Sequence, residues 1–397
     1  MTLVATPPPA GSAPPVAGAG DHRGSWIPTG AMIATRIMEL RKRRGLMAAV
    51  VGVTVGIPTL FLVVRLILHA VAPKTYAAAG GYNVFTHLVA GVLYVFGFIV
   101  AATLGCAAGS ADLTDGMFRH LVVTGRSRLA LYLARIPAGL AIICSVVAAG
   151  FTIVCLVCAF AAPTSLNLDG VSVPGGLSRT GLEQWAVTHV NEVMCNFENV
   201  GGPIPANVHC ANGPNGPTVR GPGEKVISGP VPSSSPVGGP GPVGTPMTAA
   251  QLKAAAIGIA DRNFADYSQL FTSPSNSLMV KAGLWIELEA VIGFIVGLGL
   301  ASLLGQRTIA VVMMIVLEII LTPIFARARI PHFINLQRAV VGIATANIEP
   351  HALPLGLGGA RGVDLLSEST TTAVCVIVAW LVGWTVLGAW RMMTRDA

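Results

Sequence analysis

Charged residues are scarce in this sequence: they make up 11% of its 397 residues, whereas 53% are hydrophobic. Soluble domains average about a quarter charged residues, because their surfaces must be hydrated. A chain with so few charges cannot cover a soluble surface, which excludes an ordinary cytosolic enzyme. The composition instead indicates a polytopic membrane protein.

Short catalytic motifs are also missing. The sequence has no GxxxxGK(S/T) phosphate-binding loop, and the stretch 221–225 lacks the required spacing. It has no GxSxG or HExxH motif, so an intramembrane hydrolase is the weakest of the functions considered. We therefore expect no catalytic residue, no cofactor and no metal site in this chain.

The cysteines do not indicate a metal site either. Five of the seven lie in apolar runs, where cysteine behaves as a small buried hydrophobic residue. Cys155 and Cys158 have CxxC spacing, but no second pair and no nearby histidine accompany them. The remaining two, Cys195 and Cys210, lie in a long polar segment.

The N-terminal part divides into a tail and a basic helix. Residues 1–30 are rich in Pro and Ala and lack a basic segment followed by an apolar core, so we predict a disordered tail and not a cleaved signal. In 31–44 the apolar residues share one helical face, while Arg36 and the basic run 41–44 occupy the other face and the end. Such a helix lies in the membrane interface. A charged flank of the first span is the alternative.

Six apolar stretches are long enough to cross about 30 Å of hydrocarbon. They are Leu46–Ala72, Val84–Ala108, Ile136–Ala162, Leu284–Leu304, Ile309–Ala326 and Thr372–Trp390. The fifth contains Glu318, but its apolar residues offset the insertion cost of one charge, about 3 kcal/mol. We therefore predict an all-α polytopic membrane protein with six transmembrane helices, three within 31–162 and three within 283–397.

The distribution of Lys and Arg predicts the orientation. These residues concentrate before the first span, between the second and third spans, and after the sixth, which places those segments and both termini in the cytoplasm. Arg327 and Arg329, after the fifth span, argue mildly for the opposite orientation. Between the fifth and sixth spans, proline residues and helical spacing predict a short outer or re-entrant helix over 331–348.

Residues 163–282 form a large predicted extracytoplasmic loop. Thr180–Glu183 and Thr248–Gln251 have capping-box spacing, which predicts a helix after each. Between those helices, 200–246 is so rich in Pro and Gly that we predict disorder. Cys195 and Cys210 flank its start, either as a disulfide or as a pair of free thiols.

The segment between the second and third spans is the most informative inner segment. Asp112 and Asp115 occupy positions that favour a helix N-terminus, and apolar residues then repeat at helical spacing. This predicts a short amphipathic helix over 110–128, tied at both ends to spans. Anything pressing on it would move two membrane helices together. A solvated basic loop is the alternative.

In this segment the sequence resembles the permease subunit of ABC-2 type transporters. The family pattern is acidic-Gly-Thr-x-Arg, then Thr-Pro-x-Ser-Arg, then a basic residue that opens the third span. The matching residues are Asp115-Gly116-Met117-Phe118-Arg119, Thr124-Gly125-Arg126-Ser127-Arg128 and Arg135. The sequence departs from the pattern at Asp115, Met117 and Gly125. Its long loop also follows the third span, whereas the largest outer region in the family follows the fifth.

The resemblance implies a transport subunit without an ATPase site of its own. A separate ABC ATP-binding subunit would carry ATP and Mg²⁺, and a second permease copy, in a homo- or heterodimer, would complete the pathway. The implied docking residues are Asp112, Asp115, Gly116, Phe118, Arg119, Arg126 and Arg128. The implied role is export of a drug-like, lipid or glycan substrate across the plasma membrane of a bacterium, with no nucleic-acid partner.

Four ionisable residues lie within or at the ends of predicted spans, and such residues indicate function by default. They are Arg65, Glu287, Glu289 and Glu318. Arg65 could form an ion pair with Glu287 or Glu289, extend to the membrane interface, or gate a substrate. Glu318 lies near mid-span, where it either makes a structural hydrogen bond or takes part in transport. An ion-coupled secondary transporter using Glu318 is therefore a rival function. A non-transport protein that senses through its outer loop is another.

Overall fold

The computed structural model describes residues 26–73, 76, 78–114, 127–168, 171–196, 208, 246–327, 332–350, 353 and 368–394. Most of these residues are helical, and five helices among them are long and apolar enough to cross a membrane. The five are Arg44–Val71, Tyr82–Ser110, Arg128–Phe160, Asn276–Leu304 and Thr370–Thr394. The regions predicted to be disordered, 1–30 and 200–246, lie almost wholly outside the described residues.

The N-terminal half contributes one short helix and three spans. The helices are α1 (Gly30–Lys42), α2 (Arg44–Val51), α3 (Ile57–Val71), α4 (Tyr82–His87), α5 (Tyr94–Thr114), α6 (Arg128–Leu133) and α7 (Arg135–Phe160). A π-helical turn joins α2 to α3 at Gly52–Gly56, and another joins α4 to α5 at Leu88–Leu93. The predicted helix at 31–44 is therefore confirmed as a helix.

The C-terminal half contains two spans and the stretch predicted as span five. Its helices are α12 (Asn276–Leu304), α13 (Arg307–Ile315), α14 (Thr322–Arg327), α15 (Ile334–Arg338), α16 (Val341–Asn347) and α17 (Thr370–Thr394). A π-helical turn, Val316–Leu321, makes 307–327 one uninterrupted helical stretch. At 1.5 Å per residue its length is about 31 Å, but the count of six spans stays a prediction.

The five described spans pack side by side, and the ends of their helices gather at two ends of the bundle. At one end, Arg135 Nη1 donates to Gly109 O over 3.1 Å, and Ser302 Oγ donates to the same oxygen over 3.4 Å. Arg128 Nη1 also donates to Met393 O over 3.3 Å, which joins α6 to the end of α17. We call this end the basic end. Its cationic side chains include Arg36, Arg43, Arg128, Arg135, Arg307 and Arg391.

The opposite end joins the other helix termini through the backbone. Gly81 N donates to Cys158 O over 2.9 Å, which connects the start of α4 to the end of α7. Tyr82 N donates to Thr272 O over 2.9 Å, which brings in the residues just before α12. These bonds place the residues on either side of them, Ala161–Pro163 and Thr272, at the end of the bundle away from the basic end.

α5 and α12 form the central pair of the bundle, and glycines let their backbones touch. A Cβ at Gly105 would lie 2.1 Å from Phe294 O, and a Cβ at Gly297 would lie 2.5 Å from Ala102 O. Side chains at these two positions would force the helices apart. α12 is consequently the most buried of the five spans.

A small subdomain follows α7; we call it the outer subdomain because it lies at the end of the bundle away from the basic end, which we call the outer end. It contains a hairpin of β1 (Ser165–Leu168) and β2 (Val171–Pro174) and the helices α8 (Arg179–Thr188), α9 (Val190–Asn196), α10 (Ala249–Arg262) and α11 (Phe264–Phe271). The strands pair antiparallel, so the expectation of an all-α fold is wrong here. A separate apolar core, which includes Val173, Leu182 and Ile259, holds the hairpin against the helices.

The two predicted capping boxes had different outcomes. Thr248 caps α10 and both bonds of the box to Gln251 are present, as predicted. The cap of α8 is Ser178, whose Oγ accepts from Gly181 N over 3.1 Å, so the prediction of Thr180 is wrong by two residues. A serine at this position competes with Thr180 for the same free amide groups.

The segment after α14 differs from the single helix predicted over 331–348. It forms two short helices, α15 and α16, and α16 is buried from Val341 to Thr345. α16 packs against α17, and Trp380 Nε1 donates to Ala339 O over 2.7 Å at the junction of α15 and α16. α16 is therefore part of the bundle interior at the end away from the basic end.

Candidate functional site

Three glutamates from separate elements come together inside the bundle. Glu289 lies on α12, Glu318 lies in the π-helical turn Val316–Leu321, and Glu349 follows α16. Glu289 is 2% exposed and Glu318 is 5% exposed. Charges on Glu318 and Glu349 would both repel a charge on Glu289. We call these three residues the acid cluster.

The π-helical turn positions Glu318. A π-helical turn inserts an extra residue into a helix, and such turns are frequent at functional sites. Tyr94, at the start of α5, donates from its hydroxyl to Glu318 Oε1 over 3.3 Å. Thr322 Oγ1 lies 3.4 Å from Glu318 Oε2 and 3.1 Å from Leu317 O. Glu318 thus has polar contacts on both carboxyl oxygens within an otherwise apolar helix.

α16 covers the acid cluster from the outer side. A Cβ at Gly342 would lie 2.6 Å from Glu318 Oε1, so the carboxyl group rests against the backbone of α16. Trp285 Nε1 donates to Thr345 O over 3.2 Å, and the Thr345 side chain lies within hydrogen-bonding range of Glu289. Trp285 also stacks on Tyr94, with ring centroids 4.9 Å apart. α12, α5 and α16 are therefore joined around the same three acids.

The electrostatics of the cluster favour neutral carboxylic acids. Among the described residues, no Lys, Arg or His forms an ion pair with any of the three acids. Glu289 Oε1 and Glu349 Oε1 are buried without a hydrogen-bond partner. Burial raises the pKa of Glu349, which lies outside the five spans, to about 8. An arrangement of this kind can take up and release protons.

Arg65 does not contact Glu287 or Glu289, so the predicted ion pairs are wrong. Its Nη2 donates to Ala78 O over 2.9 Å, and its guanidinium lies 5.6 Å from the centroid of the Phe61 ring. The two glutamates lie on other faces of α12, because Glu289 points into the bundle and Glu287 points toward Cys144 on α7. Arg65 therefore neutralises neither of them.

Only the ends of the predicted coupling helix fall within the described residues. Asp112 lies in the last turn of α5, so its predicted position at a helix N-terminus is wrong. The helix continues past the apolar run as far as Thr114. Arg128 begins α6, where Ser127 Oγ accepts from Ala130 N over 3.1 Å. The other proposed docking residues, Asp115, Gly116, Phe118, Arg119 and Arg126, lie outside the described residues.

The cysteines and the basic end complete the placement of predicted residues. Cys195 lies in α9 and Cys210 lies outside the described residues, so their disulfide stays a prediction. At the basic end, α1 lies against α5 and α7, where Arg36, Glu39 and Arg135 line a small cleft. Arg36 pairs with Glu39 over 2.6 Å within α1.

Sequence reasoning missed several residues of the acid cluster. Glu349 lies in a proline-broken polar segment that has the composition of an external loop. Tyr94 and Thr345 belong to no sequence motif. The one signal that could have identified Tyr94 is a polar side chain within an apolar run. These residues become recognisable only when the helices are packed.

No family model, no curated protein and no solved structure matches this chain.

Proposed function

We propose that this chain is the permease subunit of an ABC-2 type transporter, which forms the transmembrane pathway and is driven by a separate ATP-hydrolysing subunit. The resemblance in 115–135 suggests the family. The structure supports it through the way the helices on either side of that segment are joined. The proposed cargo is a drug-like, lipid or glycan molecule that moves outward.

The observation that carries the proposal is the bond between Arg135 and Gly109 at the basic end. Arg135 is 2% exposed and donates from Nη1 to Gly109 O over 3.1 Å, which ties the start of α7 to α5. Since these two helices flank 115–126, a force on that segment acts on both of them together. A coupling element needs this property to convert ATP-driven movement of a partner into movement of membrane helices.

The rest of the bundle agrees with such a role. We propose six spans, with 307–327 as the fifth and with the basic end in the cytoplasm, because Lys and Arg are retained there during insertion. α1 would then lie at the inner membrane surface and the outer subdomain would lie outside. The exposed apolar faces of α3 and α17 would contact lipid or a second permease copy.

The test is whether an ATPase co-purifies with the chain. The tagged chain is isolated from its native host in mild detergent, and co-purifying ATP hydrolysis is measured for the wild type and for the Asp115→Lys and Phe118→Asp variants. We expect both variants to lose the ATPase by roughly tenfold or more, which corresponds to about 1.4 kcal/mol of binding free energy.

Glu183→Lys is the matched control, because it changes charge on α8 in the outer subdomain. It should retain the ATPase, and all three variants should insert and purify as well as the wild type. An ATPase retained by both Asp115→Lys and Phe118→Asp would remove the docking assignment. A wild-type chain that purifies without any ATPase would contradict the proposed function.

A further inference from the structure

We infer that Glu289, Glu318 and Glu349 form a proton-binding site that holds α16 in its buried position. The ligand of this site is the proton. The inference does not depend on which energy source drives the protein, because it rests on the geometry of the acid cluster alone. It assigns a role to Glu349 and α16 that goes beyond forming a pathway.

The first argument is the absence of compensating charge. A carboxylate is strongly disfavoured in a low-dielectric interior unless a cation or several donors satisfy it. Within the described part of the chain, none of the three acids has a cationic partner, and charges on Glu318 and Glu349 would both repel a charge on Glu289. Proton uptake removes both penalties at once.

The second argument is the unsatisfied oxygen of Glu289. Glu289 is 2% exposed, points into the cluster, and its Oε1 has no hydrogen-bond partner. An ionised carboxylate would leave its charge uncompensated at this oxygen, because no donor is within reach. A proton on Glu289 removes that charge.

The side chains that face the acid cluster from the surrounding elements donate few hydrogen bonds to it. Tyr94 on α5 donates to Glu318, Trp285 on α12 donates to Thr345 O, and Thr322 on α14 divides one hydroxyl hydrogen between two acceptors. Beyond α16, Arg338 faces Glu368 and not the cluster. Tyr94 is thus the one other titratable side chain among the described residues that contacts the three acids.

A metal cation fits the site less well than a proton. Cations such as Na⁺ and Ca²⁺ need several oxygens converging on one point. The described residues contain no group of three or more His, Cys, Asp or Glu side chains placed to hold a metal ion. The contact between Gly342 and Glu318 also leaves no space for an ion at that oxygen.

Proton loss has a structural consequence at α16. When the pH rises through about 8, where Glu349 titrates, negative charge appears next to the C-terminus of α16. Negative charge on Glu349 is unfavourable there, beside the carbonyl end of the helix. We expect α16 to leave its buried position and to admit water to Glu318 and Glu289.

The test measures the exposure of α16 in the full chain embedded in lipid nanodiscs, in a background without native cysteines. Ala344 on α16 is 0% exposed, so Ala344→Cys should react slowly with a water-soluble maleimide at pH 6. The exposed residue Ser369 gives the matched control Ser369→Cys, which reports how the chemistry itself depends on pH. As the pH increases, the labelling rate of Ala344→Cys divided by that of Ser369→Cys should rise by up to about tenfold per pH unit for each proton that must be lost.

Substitution of the acids provides the decisive comparison. Gln imitates a neutral carboxylic acid, so Ala344→Cys combined with Glu289→Gln, Glu318→Gln and Glu349→Gln should stay slow to label at every pH. The infrared C=O band of protonated carboxylic acids, measured on the chain without added cysteines, should weaken in the Glu289→Gln and Glu318→Gln variants but not in Glu183→Gln. This second readout also covers the case in which the cysteine variants fail to fold.

Three results would overturn the inference. One is a labelling ratio that does not change with pH. Another is an infrared band that persists undiminished in the Glu289→Gln and Glu318→Gln variants, since the protons would then lie elsewhere. The third is a labelling rate at constant pH that falls when Na⁺ replaces N-methylglucamine, because that would identify a sodium site.

Discussion

Gly342 is the residue on which the contact between α16 and the acid cluster depends. A Cβ at this position would lie 2.6 Å from Glu318 Oε1 and 2.6 Å from Thr322 Cγ2. Contacts below 3.0 Å are essentially never made by a real Cβ, so either α16 or the side chains of Glu318 and Thr322 would have to move. Because α16 is buried, that movement would disturb its packing against α17.

We therefore expect Gly342→Ala to lower the free energy of unfolding by about 1–3 kcal/mol, the usual cost of overpacking. Thermal unfolding of the purified chain in nanodiscs measures this. Gly383→Ala is the control, because no heavy atom lies within 4 Å of the added Cβ and alanine is the better helix former. Equal stability of Gly342→Ala and wild type would show that α16 does not rest on Glu318.

The sequence was sufficient to find the ionisable residues but not their arrangement. Glu289 and Glu318 stand out because each interrupts an apolar run, which is a local feature. Tyr94, in contrast, is 224 positions away from Glu318, and their contact depends on how α5 packs against the π-helical turn. The possible pairing of Arg65 with Glu287 or Glu289 is absent for the same reason, since depth in the membrane does not determine which face of a helix meets which neighbour.

At the scale of elements, helix caps decide where the outer helices begin. Ser178 and Thr180 both precede the apolar residues of α8, and the spacing from Thr180 to Glu183 favoured the later start. The structure begins the helix at Arg179, with Ser178 Oγ accepting from Gly181 N. An earlier cap adds residues to a short helix, and each added residue gains a backbone hydrogen bond.

Substitution of each candidate cap residue distinguishes a helix capped by Ser178 from one capped by Thr180. Ser178→Ala should lower the stability of the outer subdomain by about 1 kcal/mol, whereas Thr180→Ala should cost only a few tenths. Hydrogen exchange of the amides in the first turn of α8 measures the difference directly. Thr248→Ala, which removes the confirmed cap of α10, provides the reference for a full loss. A larger effect from Thr180→Ala than from Ser178→Ala would restore the cap predicted from spacing.

Long elements were predictable where composition decides them, and short ones were not. Five predicted spans coincide with helices that are apolar over a whole membrane thickness. The end of α5 was misjudged, because the apolar run stops near Ala108 while the helix continues through Asp112 to Thr114. The hairpin β1–β2 was missed, since four-residue strands give too little alternation to be recognised.

At the scale of the whole molecule, the two ends of the bundle differ in charge and in construction. The basic end is held by side chains such as Arg135 and Arg128 that donate to backbone carbonyls of neighbouring helices. The opposite end has backbone bonds between helix termini in addition to side-chain bonds, and it carries a separate subdomain with its own core. This asymmetry is what the distribution of Lys and Arg in the sequence already indicated, because retention of positive charge during insertion depends on composition near the spans and not on tertiary contacts.

The orientation in the membrane is the claim on which the proposed docking of an ATPase depends, and two matched positions test it. Ala34 on α1 and Ala250 on α10 are both exposed alanines near the start of a helix, and they lie at opposite ends of the bundle. In a background without native cysteines, Ala250→Cys should react with a membrane-impermeant maleimide on intact cells, and Ala34→Cys should react only after permeabilisation. We expect this because segments rich in Lys and Arg are retained on the cytoplasmic side during insertion. If Ala34→Cys were labelled on intact cells and Ala250→Cys were protected, the segment 115–126 would face the exterior, where no ATP-binding subunit could reach it.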